Sequence, residues 1–142
     1  MNKLATLTAA ALLTTLAACG GGGSGAGAGA PTDASVDDFC TSFVAVFTEG
    51  GADMTGITGK DIKAWGDTLA ETGTPAEMSK DERAGFEIFV KFASEVDAGA
   101  SIDDIEDPKV SDDEQAQVDA FLEYSGTTCA QAMQDAMLES MG

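Results

Sequence analysis

From Val36 to Met137 the large apolar residues return every three or four positions, and no stretch alternates apolar with polar long enough to make a strand. That spacing confines the chain to helices whose apolar stripes must bury one another. Val36, Phe39, Cys40, Phe43, Val46 and Phe47 form the first stripe, with Asp33 or Ser35 as its cap and Gly50-Gly51 as its stop. A shorter second stripe, Ile62, Trp65 and Leu69, runs between Thr58 and Gly73, with Lys60, Asp61, Lys63 and Asp67 on its outer face. The third opens on Ser79-Lys80-Asp81-Glu82, a capping box in which Ser and Glu satisfy each other's backbone N–H. Phe86, Phe89, Val90, Ala93 and Val96 follow on one face, and Ile88 and Phe92 widen it, so this helix is expected to be central. Ser111-Asp112-Asp113-Glu114 repeats the box ahead of Val118, Phe121, Leu122 and Tyr124. Gly126 is expected to break that run, and Thr127 or Thr128 to cap a last helix through Cys129, Ala132, Met133, Ala136 and Met137. The fold expected is all-α, a small bundle of four to five helices.

Charge and histidine content narrow the chemistry. The 142 residues hold 7 Lys+Arg, 25 Asp+Glu and no histidine, a net charge of −18. A phosphate backbone needs a basic patch, so nucleic acid is excluded as a partner. Without imidazole there is neither Ser-His-Asp nor Cys-His nucleophilic chemistry, nor any zinc site that needs histidine.

The chain before Asp33 does not read as part of the bundle. Lys3 precedes an apolar, threonine-rich stretch of fifteen residues, Leu4 to Ala18, which has the proportions of a secretory signal peptide rather than a membrane span. Seven glycines fall among the eleven residues Gly20 to Ala30. Glycine loses the most backbone entropy on ordering, so with Pro31-Thr32 this segment is expected to be a flexible tether. Its r.m.s. reach would be roughly 20 Å. A phosphate-cradling loop would need a flanking strand, a helix and usually a lysine, which the segment lacks.

Leu16-Ala17-Ala18-Cys19-Gly20 resembles the lipobox of bacterial lipoproteins: Leu, a small residue, Ala or Gly, then Cys. The resemblance covers residues 1–20 and implies lipidation of Cys19 by diacylglycerol, with cleavage just before it. Two acyl chains give stable anchoring where one does not. The division expected is a signal peptide over 1–18, a lipidated cysteine and tether over 19–34, and an acidic helical domain over 35–142. Loss of Lys3 leaves six basic residues against 25 acidic, a balance of −19. Such a surface is repelled by anionic headgroups, so membrane contact should come from the lipid. Beyond Cys19 the arrangement is similar to the small, acidic, helical lipoproteins of high-GC Gram-positive bacteria, with Phe39-Cys40 early and Tyr124 through Cys129 late. That family brings no catalytic residues to carry over.

Cys40 and Cys129 remain, 89 positions apart. Outside the cytosol such a pair is most simply a disulfide, here joining the first helix to the start of the last. A buried free pair is the alternative, while a thioredoxin-like dithiol would need Cys-x-x-Cys. Closing a loop of this size stabilises by about 4 kcal/mol in the chain-entropy model.

Other candidates each have a plainer reading. Asp103, Asp104, Glu106, Asp107, Asp112, Asp113 and Glu114 are dense enough to suggest calcium. EF-hand spacing fails, Pro108 interrupts, and an interhelix loop with helix-starting acids accounts for them. Met133, Met137 and Met141 fall four apart and could bind Cu(I), though methionines at helical spacing also make pliable core. Trp65 could stack on a sugar or fill the core. Carboxylate pairs are inevitable among 25 acids, and no spacing singles one out. No catalytic residue, metal or cofactor is expected. The function expected is a lipid-anchored, monomeric domain on the extracytoplasmic face of the cell membrane, a non-enzymatic binder or scaffold of another envelope protein or ligand. The alternative is a small-molecule or cation-binding module with a pocket between helices.

Overall fold

A computed structural model describes residues 27–49 and 56–140. Within them lie five helices: α1 (Val36–Glu49), α2 (Gly59–Thr72), α3 (Lys80–Glu95), α4 (Asp112–Thr128) and α5 (Ala130–Ser140). A single 3-10 turn at Ile102–Asp104 lies between α3 and α4. No strand forms among the described residues, so the all-α expectation holds.

Local chemistry accounts for the helix starts. The Ser35 hydroxyl accepts the Asp38 N–H at 3.1 Å, so Ser35 rather than Asp33 caps α1. Asp61 takes the backbone N–H and the hydroxyl of Thr58 at 2.9 and 2.7 Å at the head of α2. Both Ser-x-x-Glu boxes close as expected: the Ser79 N–H reaches Glu82 at 2.6 Å and the Ser111 N–H reaches Glu114 at 2.8 Å. At the end of α2, Gly73 sits at φ 81°, a conformation open to glycine with little strain. The stop expected at Gly50-Gly51 lies outside the described residues.

The stripes meet around Phe121 of α4. Its ring lies 6.4 and 6.1 Å from Phe39 and Phe43 of α1, and 5.7 and 5.6 Å from Phe86 and Phe89 of α3. Trp65 brings in α2, with its ring 5.2 Å from Phe89 and edge-on to it. Aromatic pairs of this kind add on the order of 0.5–1.5 kcal/mol beyond the area they bury. Small residues set how closely the helices approach. A Cβ at Gly85 would stand 2.0 Å from the Gln117 carbonyl oxygen on α4, and one at Gly66 would stand 2.6 Å from the Ala93 Cβ on α3. The α3 helix packs on both α2 and α4, the central place its broad apolar face predicts.

Four sequence expectations are corrected. Gly126 does not break α4, which runs to Thr128 because neighbouring packing outweighs one glycine's propensity. The chain instead turns at Cys129, whose N–H still bonds Ser125 at 2.9 Å. Leu122 is exposed, since Val118, Phe121 and Ser125 take the buried face of α4. Lys63 is not confined to the outer face: it is half-buried and donates to the Ser94 carbonyl, where α3 presents its unsatisfied last turn. The domain also begins before residue 35. Gly27 is buried, Ala30 packs on the core, the Pro31 carbonyl accepts the Thr74 N–H at 2.9 Å, and Ala34 donates back to the Thr74 carbonyl at 3.2 Å. Composition alone reads residues 27–34 as tether because their partners are distant in sequence.

Two glycines should respond oppositely to the same change. Gly85→Ala drives a methyl into the α4 backbone and should destabilise by about 1–3 kcal/mol. Gly126→Ala meets open space inside a helix and should stabilise by roughly 0.5–1 kcal/mol. Urea unfolding midpoints of the two variants check both signs.

Candidate functional site

A disulfide joins Cys40 of α1 to Cys129 at the α4–α5 junction, with Cα atoms 5.2 Å apart. Both cysteines are buried within the core cluster. Near the Cys129 turn, the Ser125 hydroxyl is fully buried and has no hydrogen-bond partner among the described residues.

A concavity lies elsewhere among the described residues, between the second half of α3 and the segment leading to α4. It is a cleft of about 540 Å³. The segment that walls it is pinned at both ends. At its start, the Ala98 and Ala100 carbonyls accept the Lys60 and Gly59 N–H groups at 3.1 and 2.9 Å, capping α2 with backbone oxygens. A Cβ at Gly59 would stand 1.8 Å from the Asp97 carbonyl, so a side chain there would block that cap. Asp97 holds the turn by accepting the Gly99 N–H at 2.7 Å, and Asp104 accepts the Ser101 hydroxyl at 2.6 Å. At its far end the Ser111–Glu114 box starts α4.

The less exposed lining of the cleft is apolar, formed by Ile88 and Phe92 of α3, Val96 just past its end, and Ile105 and Val110. Lys91 and Lys109 stand at the exposed rim with six acids, Glu95, Asp97, Asp104, Glu106, Asp107 and Glu114. Sequence reasoning did not find this site. Its traces were Ile88 and Phe92, apolar but off the core stripe of α3, and the aliphatic residues set into the acidic run. Neither trace says that the two segments meet.

The residues singled out as candidates separate in space and role. The acidic run divides: Asp104 and Glu114 hold local turns, while Asp112 and Asp113 sit in the first turn of α4, where the helix dipole favours negative charge. Among the described residues no three His, Cys, Asp or Glu side chains converge on a possible metal site. Met133 packs against the core, Met137 is exposed on α5, and Met141 lies outside the described residues. Trp65 is half-buried and packs against the core, and its indole N–H donates to the Ser42 carbonyl at 2.9 Å. Cys19 and the whole lipobox also lie outside the described residues. No described helix is long and apolar enough to cross a membrane.

Two carboxyls are held below their ordinary range. The Thr58 hydroxyl and N–H lower Asp61, and the Ser111 N–H and hydroxyl lower Glu114. Each group therefore favours the folded state above the unfolded carboxyl pKa, and that contribution fades as pH falls through its folded value.

Comparison with protein families, curated proteins and solved structures finds no match.

Glu114→Gln should lower the unfolding midpoint near pH 7, and the gap from the parent should narrow as pH falls below the ordinary glutamate range. Urea titrations near pH 7 and below that range test this. Replacing both Cys40 and Cys129 with Ala should cost about 4 kcal/mol by loop entropy, whereas Ser125→Ala should be neutral or stabilising because it removes an unsatisfied hydroxyl. Thermal unfolding of the three proteins separates these outcomes.

Proposed function

We propose that the chain is a lipid-anchored, non-enzymatic domain on the extracytoplasmic face of the membrane, where it binds or scaffolds another envelope component. The observation that carries this reading is the buried Cys40–Cys129 disulfide, since such bonds persist mainly in oxidising compartments. It agrees with the leader and lipobox expected over residues 1–20, which would leave Cys19 acylated at the start of the processed chain. The acidic surface keeps the domain soluble and off anionic headgroups, leaving the acyl chains as the membrane contact. Cys19→Ser should move the protein from the membrane fraction to the medium or the wash. Equal retention of both forms would reject the anchor. Crosslinking in intact cells, followed by capture of the anchored form, identifies the partner.

The cleft supports a second reading, a small-molecule or cation-binding module. Its volume of about 540 Å³ falls within the range of ligand sites, and its apolar residues ringed by six acids and two lysines suit a small amphipathic molecule carrying positive charge. A ligand at about 100 times its Kd should add about 2.7 kcal/mol to folding stability. In a thermal-shift screen with calcium, copper and amphipathic compounds, a response that Phe92→Glu abolishes supports this module. No response to any of them counts against it.

A further inference from the structure

Residues 27–34 are bound to the domain by contacts that few other sequences could make. Gly73, at φ 81°, leaves room for Pro31: a Cβ there would stand 2.2 Å from the Pro31 carbonyl oxygen. The neighbouring Thr74 exchanges backbone hydrogen bonds with this segment in both directions, through Pro31 and Ala34. Arg83 supports the receiving loop from behind, donating to the Thr74 hydroxyl and to the Pro75 carbonyl, the latter at 3.3 Å. At the far end a Cβ on Gly27 would lie 2.9 Å from the Glu87 Cα of α3, so only glycine lets the chain lie this close to the helix.

We infer that residues 27–34 are a strap belonging to the fold, which delivers the tether at Glu87 and so holds the adjoining cleft toward the lipid surface. Lys91, on the cleft rim, is one turn beyond Glu87 on the same face of α3. The orientation rests on the proposed lipidation of Cys19. From Cys19 to Gly27 the chain advances eight residues, which even fully extended span no more than about 28 Å. With the strap released, the first fixed point becomes Ser35 and that length doubles. The cleft would then meet its ligand at the membrane surface, and α5, packed on α1 and α4 and absent from the cleft lining, serves as the reference face.

The test uses the full, processed chain. Hydrogen exchange at the Ala30, Ala34 and Thr74 amides reads the strap whether or not the chain is acylated. Exchange at Ala34 and Thr74 slowed at least about tenfold relative to Gly73→Ala, or at Ala30, whose N–H donates to the Gly27 carbonyl, slowed likewise relative to Gly27→Val, supports docking, and parent amides as fast as the variants' overturn it. Gly27→Val touches only the far end of the strap, so it remains informative if Gly73→Ala fails to fold. Orientation is read on phosphatidylcholine vesicles carrying a headgroup quencher, with a fluorophore at Lys91→Cys or Asp135→Cys. Stronger quenching at position 91, levelled by Gly27→Val, is the result expected. Equal quenching in the parent overturns the orientation. Failure to bind vesicles would instead reject the anchor and the orientation with it, leaving the exchange result to decide the strap.

Discussion

The close approach of α3 and α4 around Phe121 is the contact on which the bundle depends. A Gly85 Cβ would stand 2.9 Å from the Phe121 Cβ as well as against the Gln117 carbonyl, so a larger residue would wedge the two helices apart. Because they are not wedged, one ring reaches aromatic partners on both α1 and α3, and Phe89 passes the contact on to Trp65 of α2. A core of this kind is dense and intolerant of shape change. The disulfide then ties α1 to the α4–α5 junction, where the buried face of α5 is small.

The charge distribution has a consistent logic. Several acids serve as helix caps: Asp61, Glu82 and Glu114 each accept from the residue three positions earlier. Two of the scarce cations go to backbone oxygens, Lys63 at the end of α3 and Arg83 at the loop before it. The surface is thus left strongly negative, which discourages self-association and contact with anionic lipid. The cleft shares that charge, with six acids against two lysines in its lining, and differs from a plain acidic face by its apolar residues Ile88, Phe92, Ile105 and Val110.

What could be read from sequence was local. The helix α2 starts and stops where Thr58 and Gly73 indicate, and α3 starts where Ser79 indicates, because caps and terminal glycines act within one turn. Phe39, Phe43, Phe86, Val90 and Phe121 were identifiable as core because helical spacing puts them on one face. Local reading failed where two influences competed. Gly126 and Leu122 were judged by propensity and stripe, and packing decided both. The cleft and the docking of residues 27–34 were not legible at all.

The amino-acid sequence therefore determined the class of fold, the capped starts of α1 to α4, most of the apolar faces and the availability of a lone cysteine pair, since each depends on neighbours within a few residues. The tertiary structure decided the rest. It brought Pro31 against Gly73, Gly27 against Glu87, and the 97–110 segment against the back of α3, juxtapositions that no periodicity encodes. Their physical basis is space: each exists because a missing side chain or a pinned turn lets two distant backbones come close.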